Sequence, residues 1–299
     1  MASPDVYTAP FMLTKSMHRD VYPAVDPAKN KDLDASTKVI AIFGATSGLG
    51  FAVAKSWSSA KAKGIVLVGR NGEGLQKAEK DLASGSEVLS VVADVTSFPG
   101  TESVFKKALE KFGHVDVVVN AFGAMNVAPV GSQGAEAWWE NFEVNVKGVY
   151  NVSHSYISAT GGKGTIINIV SLAASFVAPA MSGYSASKLA TVKLAECLDV
   201  EQPDLRVFSI HPGMVVSENG RGMIVEPFIP FTKDTAALTG GLTLYLATPK
   251  AEFLKGGYIH ANWDVEELEQ HKDEIVEKKL VRLAFLNGQL QPGGHPWAS

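Results

Sequence analysis

Lys38-Val39-Ile40-Ala41-Ile42-Phe43-Gly44-Ala45-Thr46-Ser47-Gly48-Leu49-Gly50 decides the fold of this chain. Its first six residues read as a short buried strand, and Phe51 to Trp57, directly after it, opens a helix. A strand that passes through a glycine turn into a helix is the setting of a dinucleotide-binding loop. There Gly44 permits the tight turn, Gly48 lets the backbone approach a pyrophosphate, and Gly50 lets helix pack on sheet. The helix N-terminus offers free N–H groups and a partial positive charge to the diphosphate. An ordinary glycine-rich turn shares the composition but does not require both flanks. Further along, Ile65 to Val68 and Val115 to Val119 are short β-branched runs of the buried-strand type. Strands alternate with helical stretches to about residue 248, which predicts an α/β domain with a parallel sheet covered on both faces.

A second landmark lies downstream. Thr165 to Val170 reads as another strand and Ser171 ends it; Tyr184 follows 13 positions later and Lys188 a further 4. A four-residue gap sets phenol and ammonium on one face of a helix. The cation favours phenolate and is expected to lower the tyrosine pKa from its usual ~10. A tyrosine tuned this way can act as a general acid near neutral pH. The Tyr-x-x-x-Lys pair alone is weak, because the two residues meet at this spacing by chance in many helices.

Together, the G-x-x-x-G-x-G spacing, Ser171, Tyr184 and Lys188 closely resemble the short-chain dehydrogenase/reductase family. Further segments fall in the family's order: Asp94-Val95 at the adenine contact, Asn120-Ala121-Phe122-Gly123 at the N-N-A-G turn, and Asn145 in the following long helix. Pro212-Gly213 matches the later P-G turn, with Ser217 at the usual threonine position. The resemblance covers residues 38 to about 262. It implies a single-domain, Rossmann-like, doubly wound parallel sheet of about seven strands. It also implies a nicotinamide cofactor held by Gly44, Thr46, Ser47, Gly48, Leu49 and Gly50, by Arg70, Asn71, Asp94 and Val95, and by Asn120, Ala121 and Gly123. Pro212, Gly213, Val215 and Ser217 complete that set, with Tyr184 and Lys188.

Asn145, Ser171, Tyr184 and Lys188 are the catalytic residues the resemblance implies. When hydride reaches a carbonyl carbon, negative charge grows on its oxygen, where Ser171 and Tyr184 can donate hydrogen bonds. Tyr184 then delivers the proton. By the same resemblance Lys188 also holds the nicotinamide ribose, and Asn145 anchors a water that links Lys188 to solvent. Plainer roles exist for each residue singly, such as a strand-end cap for Ser171 and a helix-kink hydrogen bonder for Asn145. Three departures stand out. Phe43 replaces a threonine before the first glycine, Ala121 replaces the second asparagine that often ties strands together, and Phe122 adds bulk beside the cofactor groove.

The end of the second strand bears on cofactor choice. NAD enzymes normally place a carboxylate there for the ribose hydroxyls. This chain has Val68-Gly69-Arg70-Asn71, and a guanidinium can bind a 2′-phosphate bidentately. Arg70 therefore favours NADP(H), with Ser47 adding a hydroxyl.

For the substrate, the apolar run Met223 to Phe231 resembles the family's lid. Phe122, Met125, Ser171, Phe176, Met181, Met214, Met223 and Phe228 are expected near a pocket that takes a sizeable apolar molecule, polycyclic or polyketide-like. Packing of the lid on the enzyme's own core is an equal alternative for these apolar residues. Three functions stay open. The first is an NADP(H)-dependent oxidoreductase reducing a ketone or oxidising an alcohol. The second is imine reduction, epimerisation or cyclisation on the same scaffold. The third is a non-catalytic NADP(H)-binding redox sensor, which would not need a proton donor.

Composition sets the remaining bounds. The 299 residues carry 27 basic and 31 acidic side chains, a net charge of −4 without the basic surplus that nucleic-acid binding favours. The one cysteine, Cys197, reads as a small packing residue on the Tyr184 helix. No secretory signal or spanning apolar run appears, which predicts a soluble, cytoplasmic protein. No His/Cys/Asp cluster has ligand spacing, so no metal site is expected, and His211 reads as a packed histidine. Residues 1–37, with four prolines and aromatics between them, suit an arm docked on the core; 38–262 form the catalytic domain. Residues 263–299 form an extension, with a helix from an Asp264 cap through Arg282 burying Leu268, Ile275, Val276 and Leu280, then an irregular tail from Asn287 to Ser299. Such ends resemble those of fungal secondary-metabolism members. A homodimer or homotetramer is expected from family-type pairing of the helices carrying Asn145 and Tyr184. Val192, Ala195 and Leu198 to Val200 offer either apolar surface for that pairing or core.

Overall fold

The five residues of Val39–Phe43 (β1) are all apolar and all fully buried, because this strand sits in mid-sheet with helices on both faces. In the computed structural model, which describes residues 5–82, 85–216 and 226–284, six more strands join it. They are Gly64–Gly69 (β2), Glu87–Val92 (β3), Val117–Asn120 (β4), Gly164–Ile169 (β5), Leu205–His211 (β6) and Tyr258–His260 (β7). Every pairing is parallel and the order is β3-β2-β1-β4-β5-β6-β7. The order reverses between β1 and β4, and such a switch point opens a crevice at the carboxyl ends of the strands. The Rossmann-like fold expected from the sequence is thus present, with seven strands.

Helices Gly48–Ser59 (α1) and Gly72–Asp81 (α2) cover one face, and Phe98–Phe112 (α3) covers the other. Ala135–Phe142 (α4) runs through a π-helical turn, Glu143–Lys147, into Gly148–Thr160 (α5). Ser182–Glu201 (α6) packs beside that unit, and Ala236–Leu246 (α7) lies against α1. The α1–α7 approach needs glycine: a Cβ at Gly240 would stand 2.2 Å from the Ser56 hydroxyl oxygen. Trp57 is fully buried between them, its Nε1 donating to the Thr243 hydroxyl at 3.0 Å. Burying one such side chain contributes roughly 1.5–3 kcal/mol.

The face of α6 that could have served a partner belongs to the core instead. Ala195 and Leu198 are buried against the sheet and Val192 against Val170 and Ala174, while Val200 is exposed. Cys197 is also exposed and does not pack, since it lies off the helix face that carries Ala195 and Leu198.

Both extensions dock on the core. Tyr22, Val25 and Leu33 of the arm share one apolar cluster with Trp263, Val265, Leu268 and Ile275. Met17 bridges antiparallel to Trp263, and the Lys15 and Ser16 amides donate to the Glu267 carboxylate. Asp264 is the predicted cap, accepting from the Glu267 amide at 2.8 Å. The single helix expected after it is instead two short ones, Val265–Gln270 (α8) and Lys272–Lys278 (α9). His271 leaves the helical region at φ −107°, and a left-handed turn at Lys279 reverses the chain. The buried stripe is therefore interrupted. Leu268 and Ile275 are buried as expected, Val276 and Leu280 are exposed, and Val281 takes their place. Ser217, Met223 and the tail from Asn287 lie outside the described residues. No helix among the described residues is long and apolar enough to cross a membrane.

Candidate active site

A cleft of about 680 Å³ opens at the switch point. Its floor is the glycine loop. Gly44 and Gly48 have φ of +89° and +55°, values that glycine adopts without strain. A Cβ at Gly50 would stand 2.2 Å from the Gly44 carbonyl oxygen, so Gly50 closes the loop from behind and does not itself border the cleft. Gly44, Thr46, Ser47, Gly48 and Leu49 do border it. Ser47 sits at the N-cap of α1 without a side-chain capping bond, which leaves its hydroxyl to a ligand beside the first-turn amides.

Arg70 is exposed at the end of β2 and lines the cleft with Asn71, whose side chain caps α2 by accepting from the Gly74 amide. Asp94 and Val95 follow β3. Burial opposes ionisation of Asp94, but hydrogen bonds from the Thr96 amide and hydroxyl, and the Arg70 cation, outweigh it and hold the carboxyl below its ordinary value.

After β4 the chain reads Ala121, Phe122, Gly123, all on the cleft wall. Asn120 is instead buried in the sheet and donates to the Asn168 amide oxygen at 2.8 Å, so it supplies a β4–β5 tie. Phe122 packs over Gly148 beside Val95: a Cβ on Gly148 would stand 3.0 Å from the Phe122 ring and 2.9 Å from Val95. Small Gly148 thus makes room for this departure from the family pattern. Pro212, Gly213, Met214 and Val215 close the far wall, as do Met125, Phe176, Met181 and Phe228 on the outer side.

Of the four residues expected to be catalytic, Ser171, Tyr184 and Lys188 border the cleft and Asn145 lies behind it. Ser171 stands two residues past β5 and its oxygen accepts from the Ala173 amide at 3.1 Å, which leaves the hydroxyl proton to donate. Its backbone is held by the Tyr258 hydroxyl, which donates to the Ser171 carbonyl at 3.2 Å, and by the neighbouring Leu172 amide, which donates to His211 Nδ1 at 3.0 Å. Burial pushes the His211 pKa down to about 3, so the ring stays neutral and able to accept. His211 is packed, as expected, and it also positions the Ser171 turn; its neighbour His260 stacks on Trp263.

Tyr184 and Lys188 rise from α6 into the same cleft. The expected lowering of the Tyr184 pKa by Lys188 is not seen; the shift runs upward. Burial raises the phenol, and the Ser171 hydroxyl works in the opposite direction. Lys188 Nζ lies 5.9 Å from the Tyr184 ring centre and donates to the Ile169 carbonyl at 3.1 Å. Burial brings its pKa down to about 8.

Asn145 lies in the π-helical turn and does not border the cleft. Its amide is engaged by the Ala124 backbone on both sides and donates to the Ser187 hydroxyl at 2.9 Å. Its carbonyl accepts from the Thr191 hydroxyl at 2.9 Å. These bonds fix α6 against the loop after β4, and Gly123 keeps Asn145 and Lys188 near: a Cβ there would be 3.3 Å from one and 3.4 Å from the other.

Sequence reasoning missed Tyr7, Asn126, Glu140, Val144 and Thr232, which also line the cleft, and Tyr258 and Ser187, which support it. No spacing rule links an irregular arm or a distant strand to the site, so only the folded chain brings them there.

A family model described as short chain dehydrogenase matches residues 38–223, and the chain belongs to that family of oxidoreductases, whose members bind NAD(P)(H). It is 31% identical over 282 residues to short chain dehydrogenase andI of Emericella variicolor, across 91% of this chain and 95% of that one. The likeness therefore reaches into both extensions. Among solved structures it resembles a 7α-hydroxysteroid dehydrogenase complexed with NADH and 7-oxo glycochenodeoxycholic acid. That match has TM-score 0.71 and 22% identity, over 77% of this chain and 95% of that one. It also resembles a single-substitution variant of actinorhodin polyketide ketoreductase with NADPH, at TM-score 0.68 and 25% identity over 75% and 95% of the two chains.

Proposed function

We propose that this protein is an NADP(H)-dependent carbonyl reductase acting on a sizeable apolar ketone, with Tyr184 as general acid. The observation that carries this reading is the shared cleft: Ser171, Tyr184 and Lys188 border the same cavity as the glycine loop and Arg70. The residues present suit the cofactor. Ser47 and the α1 N-terminus offer donors to a diphosphate, Arg70 a cation to a 2′-phosphate, and the ionised Asp94 an acceptor for the adenine amine. Lys188 faces the ribose side by family resemblance. When bound, NADPH supplies the hydride.

The chain's own groups manage the charge and the proton. Ser171 and Tyr184 donate to the carbonyl oxygen as charge develops there. Burial keeps Tyr184 a phenol at neutral pH, the form a reducing enzyme needs in its proton donor. Lys188, with a pKa of about 8, is still largely a cation at pH 7 and favours the phenolate left behind. Asn145 acts through position, holding α6 and its two functional side chains against the cleft.

We extend the proposal to a homodimer or homotetramer built on the solvent side of α5 and α6, where Tyr150 of α5 and Val200 of α6 are exposed beside the exposed Trp139 of α4, and to a cytoplasmic location. The direct test follows NADPH consumption across bulky apolar ketones, quinones and imines for the wild type and Tyr184→Phe. Turnover lost by about 10²–10⁴-fold in the variant supports the reading. Ketone turnover unchanged in the variant refutes it.

A further inference from the structure

Three aromatic rings from three distant segments meet at the outer end of the cleft. Tyr7 of the arm lies 4.9 Å from Phe228, edge to face, and 6.4 Å from Phe176 between ring centres. Phe231 stands 4.9 Å from Tyr7 on a further side, and Phe11 packs 6.1 Å from Phe176. Tyr7, Phe176 and Phe228 all line the cavity that holds Tyr184. Their burial is unlike that of packing aromatics: Trp57 and Phe105 are sealed in the core, whereas these three keep part of their surface open.

Tyr7 is held in place. The next residue, Thr8, accepts from Arg19 Nη1 at 3.0 Å, and the same nitrogen donates to Asp234 at 2.7 Å. The Asp234 side chain is fully buried and also accepts from the amide of Met214, a residue of the cavity wall. Removing Arg19 would leave the buried Asp234 charge uncompensated, so the arm is registered on the cavity by a contact that is costly to break.

The rest of the outer chamber narrows the chemistry. Met125, Met181 and Met214 supply polarisable thioethers suited to aromatic surfaces. Glu140 lines the same chamber and accepts from the Asn126 amide at 2.7 Å. A carboxylate there repels an anionic substituent and can accept from a hydroxyl.

We propose that Tyr7 is a specificity-determining residue, forming with Phe176 and Phe228 an aromatic wall for a flat, uncharged, hydroxylated polycyclic ketone. The inference rests on the carbonyl-reductase reading and names its substrate class. Stacked or edge-on aromatic pairs contribute about 0.5–1.5 kcal/mol beyond area burial, and a saturated ring gains none of it.

The test titrates NADP⁺-saturated protein by calorimetry with two probes, 1,8-dihydroxyanthraquinone and the saturated bicyclic ketone 1-decalone. Tyr7→Leu keeps apolar bulk and removes the ring, Tyr7→Phe restores it, and Phe176→Leu removes a ring from the core side should the arm of Tyr7→Leu unseat. Both leucine variants are expected to weaken the anthraquinone about three- to tenfold and leave decalone unchanged, with Tyr7→Phe as wild type. No anthraquinone binding to the wild type, equal anthraquinone affinity in both leucine variants and wild type, or equal weakening of the two probes overturns the proposal. NADPH titration of the same samples separates the failures. A wild type that does not bind NADPH sinks the reductase reading and this inference with it, whereas intact NADPH binding confines the failure to the aromatic wall.

Discussion

Lys188→Met should make the cofactor-free protein more stable and nearly inactive. Burial moves the Lys188 pKa from the ordinary 10.5 to about 8, so holding its charge in the fold at pH 7 costs about 3 kcal/mol. Methionine removes that cost but forfeits the 3.1 Å hydrogen bond to the Ile169 carbonyl, worth about 1 kcal/mol. The net is a gain of about 2 kcal/mol, or roughly 4 °C in melting temperature for a chain of this size. Since the folded pKa is depressed, the unfolded chain binds more protons between pH 8 and 10.5, and wild-type stability rises with pH across that window. Below pH 8 both states hold the proton and the penalty is constant. Urea unfolding of wild type and variant at pH 7 and pH 10 reads both effects, because titrations elsewhere cancel in the difference. The variant should lead by about 2 kcal/mol at pH 7 and lose most of that lead by pH 10. A variant less stable than wild type at pH 7, or a lead that does not change with pH, refutes this reasoning. Turnover should fall by about 10²–10⁴-fold in the same protein.

Arg70→Ala should weaken NADPH binding about 10- to 100-fold, the worth of about 1.5–3 kcal/mol in charge-assisted bonds, while leaving NADH nearly unchanged. Fluorescence titration of both nucleotides measures it, and an unaltered preference removes Arg70 from the 2′-phosphate role. Sedimentation velocity at micromolar concentration should show a dimer or tetramer of the 31.8 kDa chain, and a lone monomer rejects the α5–α6 pairing.

The central sheet was readable because its strands are nearly uniform apolar runs set off by glycine turns, a pattern that survives any detail of packing. The Ser171, Tyr184 and Lys188 set was readable for a similar reason, since strand end and helix pitch fix those spacings locally. What escaped depends on contacts far apart in sequence. Tyr7 reaches the cleft on an arm that Arg19 ties to Asp234, 215 positions away. The broken helix after Asp264 follows from His271 leaving helical geometry, which its flanking periodicity conceals. The Tyr184 pKa went the other way because burial, invisible in a spacing rule, outweighs the Ser171 hydrogen bond that opposes it. Likewise the amide of Asn145 is engaged by Ala124 and Ser187, partners that no motif names.

Hydride transfer with Tyr184 as proton donor is the central claim, and isotope tracing tests it most directly. The protein would be given NADPH deuterated at the transferring C4 position and a flat hydroxylated ketone, with product mass and position of label read by mass spectrometry and NMR. The account predicts one deuterium on the new carbinol carbon, in a product that Tyr184→Phe fails to form. A product without deuterium at that carbon, or one formed equally well by Tyr184→Phe, would contradict it.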